Sequence, residues 1–228
     1  DVGGGLCFID MKYILVKQSR LLHNKALQSG GGLASLQRNI MLRTNITFIE
    51  CYLYNNSAEK GGSVSVYRIN SIKIFRSQFL MNIASKTAAA LIIVNNFLCE
   101  IHQSKFSKNT GYLSTGVINI ESNKIIIIKF CGFERNIGGL QSSVFFCRKA
   151  HIISVRNISA IQNFAQRGDG GVFVIEATEL VNIRNSNFLA NIASSSGGVG
   201  RMSNIKHLYI HHSYFAHQSA SVNGGCFF

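Results

Sequence analysis

The chain has 228 residues, a formal net charge of +13 and 21 glycines, but no proline and no tryptophan. The apolar fraction of 46% and the charged fraction of 14% exclude an intrinsically disordered chain, and the lack of proline excludes collagen-like and polyproline-rich segments. The excess of 23 basic over 10 acidic residues predicts an anionic partner or an anionic environment. The longest purely aliphatic run, Ile125 to Ile128, is too short to span a membrane.

A pair of small residues followed by apolar residues recurs along the chain with a period of about 27 residues. An amide recurs between these pairs with the same period, apart from one longer interval in the second repeat. Two markers that stay in phase over eight repeats predict a solenoid of stacked coils, whereas a β-sandwich would not need a constant period. The pairs are Gly4-Gly5, Gly31-Gly32, Gly61-Gly62, Ala89-Ala90, Thr115-Gly116, Ser142-Ser143, Gly170-Gly171, Gly197-Gly198 and Gly224-Gly225.

Each repeat contains three short segments in which apolar residues alternate, which is the period of a β-strand. The first segment follows the small pair, the second includes residues such as Ile126 and Ile128, and the third precedes the amide. Three extra residues in the second repeat are placed in a loop within 38–45. The sequence therefore predicts an all-β parallel β-helix in a single array over residues 1–228. This solenoid would have about eight coils of about 27 residues, with three short strands per coil.

The alternation of Phe-x-x-Asn with Gly-Gly-aliphatic resembles the repeat of the polymorphic outer membrane proteins, and similar repeats occur in right-handed parallel β-helix proteins of the pectate-lyase-like superfamily. The segments Phe79 to Asn82 and Phe106 to Asn109 match the first motif, and Gly170 to Val172 matches the second. The resemblance implies a right-handed coil and a surface or adhesin-like role, while related β-helix enzymes cleave acidic polysaccharides. Because a fold does not determine an activity, function has to be argued from the residues themselves.

The recurring amides occupy one position in every coil, so we expect their side chains to stack as a ladder that donates and accepts along the axis. The residue three positions before each amide is usually aromatic and should stack inside the core. Both columns are interpreted as structural. The predicted ladder consists of Asn24, Asn55, Asn82, Asn109, Asn136, Asn163 and Asn191, with Gln218 at its end.

Glu121, Arg148 and Glu176 share one position in successive coils, where the arginine would lie between two carboxylates. A guanidinium in that place keeps both acids ionised, which favours a salt-bridge ladder over the acid and base of a glycosidase. The clustered acidic calcium ligands of the related lyases have no counterpart in the sequence. We therefore predict no catalytic residue and no enzymatic activity, with a carbohydrate-active lyase-like or hydrolase-like β-helix as the alternative.

Neither the histidines nor the cysteines form a recognisable site. His207 and His211 could share one strand face, but no third ligand accompanies them, so no metal or other cofactor is predicted. The six cysteines occupy no common position in adjacent coils, which disfavours disulfides within the chain. Cys7 and Cys226 would approach each other only if subunits stacked end to end.

One outward strand position, seven residues before the amide, is basic without interruption from the fourth repeat to the eighth. Lys129, Arg156, Arg184 and His211 are the candidate anion-binding residues, and an acidic polysaccharide running along the axis would match their spacing. Nucleic acid is disfavoured because few aromatic residues interleave with the cations. An ordinary solvated basic face is the alternative. The whole column comprises Lys17, Phe48, Phe75, His102, Lys129, Arg156, Arg184 and His211.

Three Asn-x-Ser/Thr sequences begin at Asn45, Asn55 and Asn157. Asn55 is assigned to the buried ladder and Asn45 to the inserted loop. Asn45 and Asn157 are therefore the candidates for glycosylation.

Both ends of the array lack a polar cap, which predicts a segment of a longer protein or a subunit of a stacking filament. The expected partners are further β-helix coils or like subunits stacked end to end. The sequence thus favours a non-enzymatic structural or surface scaffold, extracellular or on a cell surface, that is adhesin-like or fibre-forming and whose basic face binds anionic glycans.

Overall fold

The computed structural model describes residues 2–39 and 42–228. Within these residues the regular structure consists of 29 β-strands and no helix, and all strand pairs are parallel. Equivalent positions of successive coils pair in register, and the strands of about eight coils line up in three sheets. The predicted all-β parallel solenoid is therefore confirmed.

The largest sheet has 14 strands, because two strands of each coil belong to it. In the last coils the two strands merge into one long strand, which joins the two rows into a single sheet. The row that follows the small pair contains β1 (Leu6–Ile9), β4 (Leu33–Leu36), β8 (Val64–Tyr67), β12 (Leu91–Val94), β16 (Ile118–Glu121) and β20 (Phe145–Arg148). The second row contains β2 (Tyr13–Lys17), β5 (Asn45–Ile49), β9 (Ser71–Phe75), β13 (Leu98–His102), β17 (Ile125–Lys129) and β21 (Ile152–Arg156). The long strands are β24 (Phe173–Arg184) and β27 (Gly200–His211).

Two smaller sheets complete each coil. The eight-stranded sheet contains β3 (Arg20–Leu22), β6 (Tyr52–Tyr54), β10 (Gln78–Leu80), β14 (Lys105–Ser107), β18 (Gly132–Glu134), β22 (Ser159–Ile161), β25 (Asn187–Leu189) and β28 (Tyr214–Ala216). The seven-stranded sheet contains β7 (Ser57–Lys60), β11 (Ile83–Thr87), β15 (Thr110–Gly111), β19 (Ile137–Gly138), β23 (Phe164–Ala165), β26 (Ile192–Ala193) and β29 (Ser219–Ala220). Its short strands directly follow the amide, at a position where the sequence pattern does not predict a strand.

The core is a set of columns of inward side chains. Phe79, Phe106 and Phe133 stack nearly parallel, with ring centroids 4.8 and 5.2 Å apart, because parallel in-register pairing places identical positions one above another. The next coil has Ala160 in this column, and its first strand carries Phe145 where the coil before has Ile118. A small residue in one column is thus accompanied by a large one in the other.

Corners are made by residues in the left-handed region of backbone space, and the start of the small pair is one of them. Gly170 has φ +68°, and a Cβ on the following Gly171 would lie 2.0 Å from the carbonyl oxygen of Gly198 in the next coil. The pair therefore combines a turn conformation with close stacking of backbones.

The longer second coil departs from the prediction at its loop. The expected loop within 38–45 ends earlier, because Asn45 is the first residue of β5 and pairs with Tyr13 and Ser71. Ile40 and Met41, which fall within the predicted loop, lie outside the described residues.

Candidate functional site

The amide ladder runs through the whole solenoid. Asn109 Oδ1 accepts hydrogen bonds from the backbone N and from Nδ2 of Asn82, both at 3.0 Å, and Asn109 Nδ2 donates to the carbonyl of Phe79 at 2.9 Å. The buried amide is thus paired with its neighbouring coils and with the corner backbone. The same pattern joins Asn24, Asn56, Asn82, Asn109, Asn136, Asn163, Asn191 and Gln218.

The assignment of Asn55 to the ladder is wrong, since its neighbour Asn56 takes that position. Leu53, not Tyr52, pairs with Phe79 in the core column, so the amide three residues later is Asn56. Asn55 is exposed in the left-handed corner (φ 51°), and its Nδ2 lies 2.9 Å from His23 Nδ1. The ladder remains purely structural in its geometry.

The basic column lies on the outer face of the second row of strands. His102 pairs with Lys129, Lys129 with Arg156, Arg156 with Arg184, and Arg184 with His211, so the five side chains repeat about every 4.8 Å. We call these five residues the basic column. Among the described residues, none of them forms an ion pair with a carboxylate.

Each arginine of the basic column is held by its own strand. Arg156 Nε donates to Ser154 Oγ at 3.2 Å, and Arg184 Nε donates to Asn182 Oδ1 at 2.8 Å. These bonds use one guanidinium nitrogen and leave the two terminal nitrogens for a ligand or for water. The two arginines are therefore exposed cations whose side chains are fixed by their own strands.

The predicted column fails in the second coil. Ile49, not Phe48, pairs with Lys17 and Phe75, while Phe48 is fully buried and faces the core. In this coil the distance counted back from the amide is wrong by one residue, because the ladder amide is Asn56 and not Asn55. A one-residue shift moves a side chain to the opposite face of a strand.

His102 ends the basic column and is the most enclosed of its members. Its ring packs edge-on against Phe75 at 5.3 Å, and its Nε2 is buried. Burial lowers the pKa of His102, the charges of Lys129 and Lys73 lower it further, and Glu100 acts in the opposite direction.

Most acids in the described ranges form salt bridges. Arg148 and Glu176 lie in register, with Nε 3.8 Å from Oε2, whereas Glu121 lies beyond 4 Å from any cation in the described part of the chain. The other oxygen of Glu176 accepts from Arg201, which also binds Asp169 at 3.0 Å. Arg148 therefore does not lie between two carboxylates as predicted; the ion pairs run instead from Arg148 through Glu176 to Arg201 and Asp169.

The cysteines are free thiols. Cys51, Cys99, Cys131 and Cys147 are buried, and burial raises the pKa of the Cys131 thiol to about 11. Cys7 is exposed and Cys226 is half-buried. In the described ranges, no group of three His, Cys, Asp or Glu side chains is placed to hold a metal ion.

The glycosylation candidates have different surroundings. Asn45 is half-buried, and its Oδ1 accepts from Asn70 Nδ2 at 2.9 Å and from Ser71 Oγ at 2.6 Å. Asn157 is exposed at a corner with φ 51°. Asn55, which the sequence analysis placed in the interior, is exposed as well.

A shallow groove, wide open to solvent and with a volume of about 720 Å³, lies beside the basic column, at the corner between the second row and the eight-stranded sheet. The corner residues Phe130, Asn157 and Asn185 form one side of it, and the outward-facing Gly132, Ser159 and Tyr214 form the other. We call this the corner groove. Sequence reasoning missed it, although the small residues Gly132 and Ser159 in adjacent coils at one outward position were visible as a signal.

Comparison with protein-family models, with curated proteins and with solved structures finds no match to this chain. In the ranges that the structure describes, there is no helix long and apolar enough to cross a membrane.

Proposed function

We propose that this chain is a non-enzymatic structural scaffold, extracellular or on a cell surface, whose basic column binds anionic glycans. The observation that carries the proposal is the register of the basic column, which aligns the cations Lys129, Arg156 and Arg184 in adjacent coils, with a histidine at each end and without a carboxylate partner. Like charges stacked about 4.8 Å apart repel one another. Bound anions would relieve this repulsion, and a linear polyanion would relieve it along the whole column.

The geometry of the column favours a polymer over a small anion. The cations form a straight line along the solenoid axis, and the terminal nitrogens of Arg156 and Arg184 are available for ligand. A polysaccharide with sulfate or carboxylate groups offers negative charges at regular intervals along an extended chain. The resemblance of the repeats to those of polymorphic outer membrane proteins supports a surface location, and that of the pectate-lyase-like superfamily supports a carbohydrate ligand.

Binding without catalysis is favoured by the state of the acids. Glu176 is ion-paired with both Arg148 and Arg201, so its carboxylate oxygens are engaged by guanidinium groups and not free to act on a bound glycan. The lyase-like or hydrolase-like alternative would need a pair of unpaired carboxylates beside the glycan site. An assay that detects new reducing ends or unsaturated products with acidic polysaccharides would reveal it.

As a scaffold, the solenoid would stack on further coils or on like subunits. Every coil pairs with the next in the same parallel register, and stacking would extend this geometry to another coil. Sedimentation velocity over a concentration series should show reversible association, and a constant monomer would contradict stacking of like subunits.

The glycan proposal is tested by affinity chromatography on immobilised heparin and on immobilised polygalacturonate. We expect the chain to be retained above about 0.15 M salt, at which charges beyond about 8 Å are screened. The triple variant Lys129→Ala, Arg156→Ala, Arg184→Ala should elute at clearly lower salt, because it removes the centre of the basic column.

A second triple variant distinguishes the effect of removing the basic column from the effect of lowering the net charge. Lys25, Lys60 and Arg167 are exposed and lie on other faces, so their replacement by alanine removes the same charge elsewhere. This control should elute close to the wild type. Equal losses in both variants, or equal retention of the column variant and the wild type, would overturn the proposal.

A further inference from the structure

The corner groove runs alongside the basic column. Lys129, Arg156 and Arg184 immediately precede the lining residues Phe130, Asn157 and Asn185, so the cations lie next to one side of the groove without lining it. The opposite side is the outward column of the eight-stranded sheet, where Gly132 pairs with Lys105 on one side and Ser159 on the other. The depression exists because the outward residues of two adjacent coils, Gly132 and Ser159, have small side chains or none.

Gly132 has no structural need to be glycine. A Cβ at this position would meet nothing within 4 Å, and its φ does not lie in the left-handed region that favours glycine. Glycine inside a strand weakens it and often marks a place where a ligand approaches the backbone closely. The glycine thus leaves open space on an outer strand face, and this space is the floor of the groove.

Exposed aromatic rings stand at the two ends of the groove. Phe130 is 58% exposed and Tyr214 is 62% exposed, and they lie three coils apart, or roughly 14 Å. Phe130 adopts φ 54°, at a corner where the other coils have only polar residues. A bulky apolar side chain in this conformation, turned to solvent, is unfavourable for the chain alone. The same ring offers an apolar face to a ligand.

The chemistry of the lining residues indicates the class of ligand. Between the aromatic ends, Asn157, Asn185 and Asn187 are exposed amides that can both donate and accept hydrogen bonds. The hydroxyl groups of a sugar can hydrogen-bond to such amides, and the C–H faces of sugar rings can pack on Phe130 and Tyr214. Acidic substituents can reach the neighbouring cations of the basic column. We propose that the corner groove holds the sugar rings of an anionic oligosaccharide lying parallel to the solenoid axis. This inference rests on the proposed function and assigns its binding site.

The test fills the groove without removing a charge. Gly132→Leu places a side chain on the floor, and Gln78→Leu places the same side chain at the equivalent exposed position of β10, two coils away. Binding of an end-labelled, size-fractionated heparin oligosaccharide is followed by fluorescence anisotropy at several salt concentrations, with protein from a bacterial host so that Asn157 carries no glycan. Gly132→Leu should weaken binding by about tenfold or more, and Gln78→Leu by less than about twofold.

The salt dependence of the binding affinity distinguishes the contribution of the corner groove from that of the basic column. The slope of log affinity against log salt reports the charge contacts, so it should stay at the wild-type value in Gly132→Leu and fall in the Lys129, Arg156, Arg184 triple variant. Urea unfolding checks that Gly132→Leu is as stable as the wild type. For a variant that unfolds more easily, Gly132→Thr and Phe130→Gln replace it, and both should weaken binding.

The outcomes distinguish the two proposals. Wild-type affinity in all groove variants, together with loss in the charge variant, would overturn the groove and leave the basic column standing. Failure of the wild type to bind would overturn the proposed function as well. Tighter binding of a single-stranded oligonucleotide of equal charge would show that the groove takes bases, contrary to the proposal.

Discussion

Asn82 and Asn109 are joined by two hydrogen bonds along the solenoid axis, because Asn109 Oδ1 accepts both the backbone N–H and the side-chain N–H of Asn82 at 3.0 Å. One amide oxygen thereby satisfies two buried donors of the preceding coil. Asn109 in turn donates its backbone N–H and its side-chain N–H to Asn136 Oδ1, so the amide of each coil is positioned by the amide of the next. The ladder is thus a register device as well as a source of stability.

The ladder predicts different effects on the free energy of unfolding for substitutions of two adjacent asparagines. Asn56→Ala should lower the free energy of unfolding by about 2–4 kcal/mol, because the carbonyl of Leu21 and two donors of Asn24 lose their buried partner. Asn55→Gly should change it by less than about 0.5 kcal/mol, since glycine accepts the left-handed corner and the side chain is exposed. Urea denaturation measures both, and equal effects would contradict the assignment of Asn56 to the ladder.

The sequence predicts the sheets well because stacked coils repeat the same pattern at a constant period. From His102 to His211 the period varies by no more than one position, and the basic column follows the prediction at every coil. The prediction fails where the second coil is longer, at Phe48 and at Asn55. Two consecutive asparagines offer two registers, and only the packing of Leu53 under Phe79 decides between them.

Two glycines with opposite surroundings give a second prediction. Gly171→Ala should destabilise the chain by about 1–3 kcal/mol, because its Cβ would lie 2.0 Å from the carbonyl oxygen of Gly198. Gly132→Ala should instead stabilise it by about 0.5–1 kcal/mol, because the Cβ meets open space and the unfolded chain loses freedom. Thermal and urea unfolding of both variants provide the measurement. A destabilised Gly132→Ala would show that the glycine has a structural role after all.

The sequence carries only one weak sign of the corner groove, the small residues Gly132 and Ser159 at one outward position of adjacent coils. Gly132 is one of 21 glycines, most of which follow the repeat, and nothing in the pattern shows whether a given glycine is required by the backbone. The depression also depends on Ser159 in the next coil and on the direction of Phe130 at the corner. Only the three-dimensional register brings these residues together beside the cations.

Thiol accessibility gives a third prediction. Cys7 is exposed and Cys226 half-buried, while Cys51, Cys99 and Cys147 are at most 2% exposed. Cys131 is also buried, and its pKa of about 11 keeps it protonated at neutral pH. Brief treatment with iodoacetamide at pH 8 should therefore modify Cys7 first and Cys226 next, as followed by mass spectrometry of peptides. In urea all six should react, and rapid native labelling of the buried cysteines would contradict the packing.

The basic column makes stability depend on pH through His102. Burial, followed by the charges of Lys129 and Lys73, lowers the pKa of His102 in the folded chain, and Glu100 offsets part of this effect. The unfolded chain, in which histidine has its ordinary pKa of about 6.5, then binds more protons than the folded chain in the window below that value. The free energy of unfolding should therefore fall as the pH falls through about 6.5, and level off below the folded pKa of His102.

Urea midpoints measured between pH 5 and 8 test this linkage. Subtracting the profile of His102→Gln from that of the wild type isolates the contribution of this side chain from those of the other histidines. We expect the variant to lose less stability on acidification. Lys129→Gln should act in the same direction but more weakly, because the charge of Lys129 lowers the pKa less than burial does. A wild-type pH dependence in His102→Gln would show that the end of the basic column does not control the acid response.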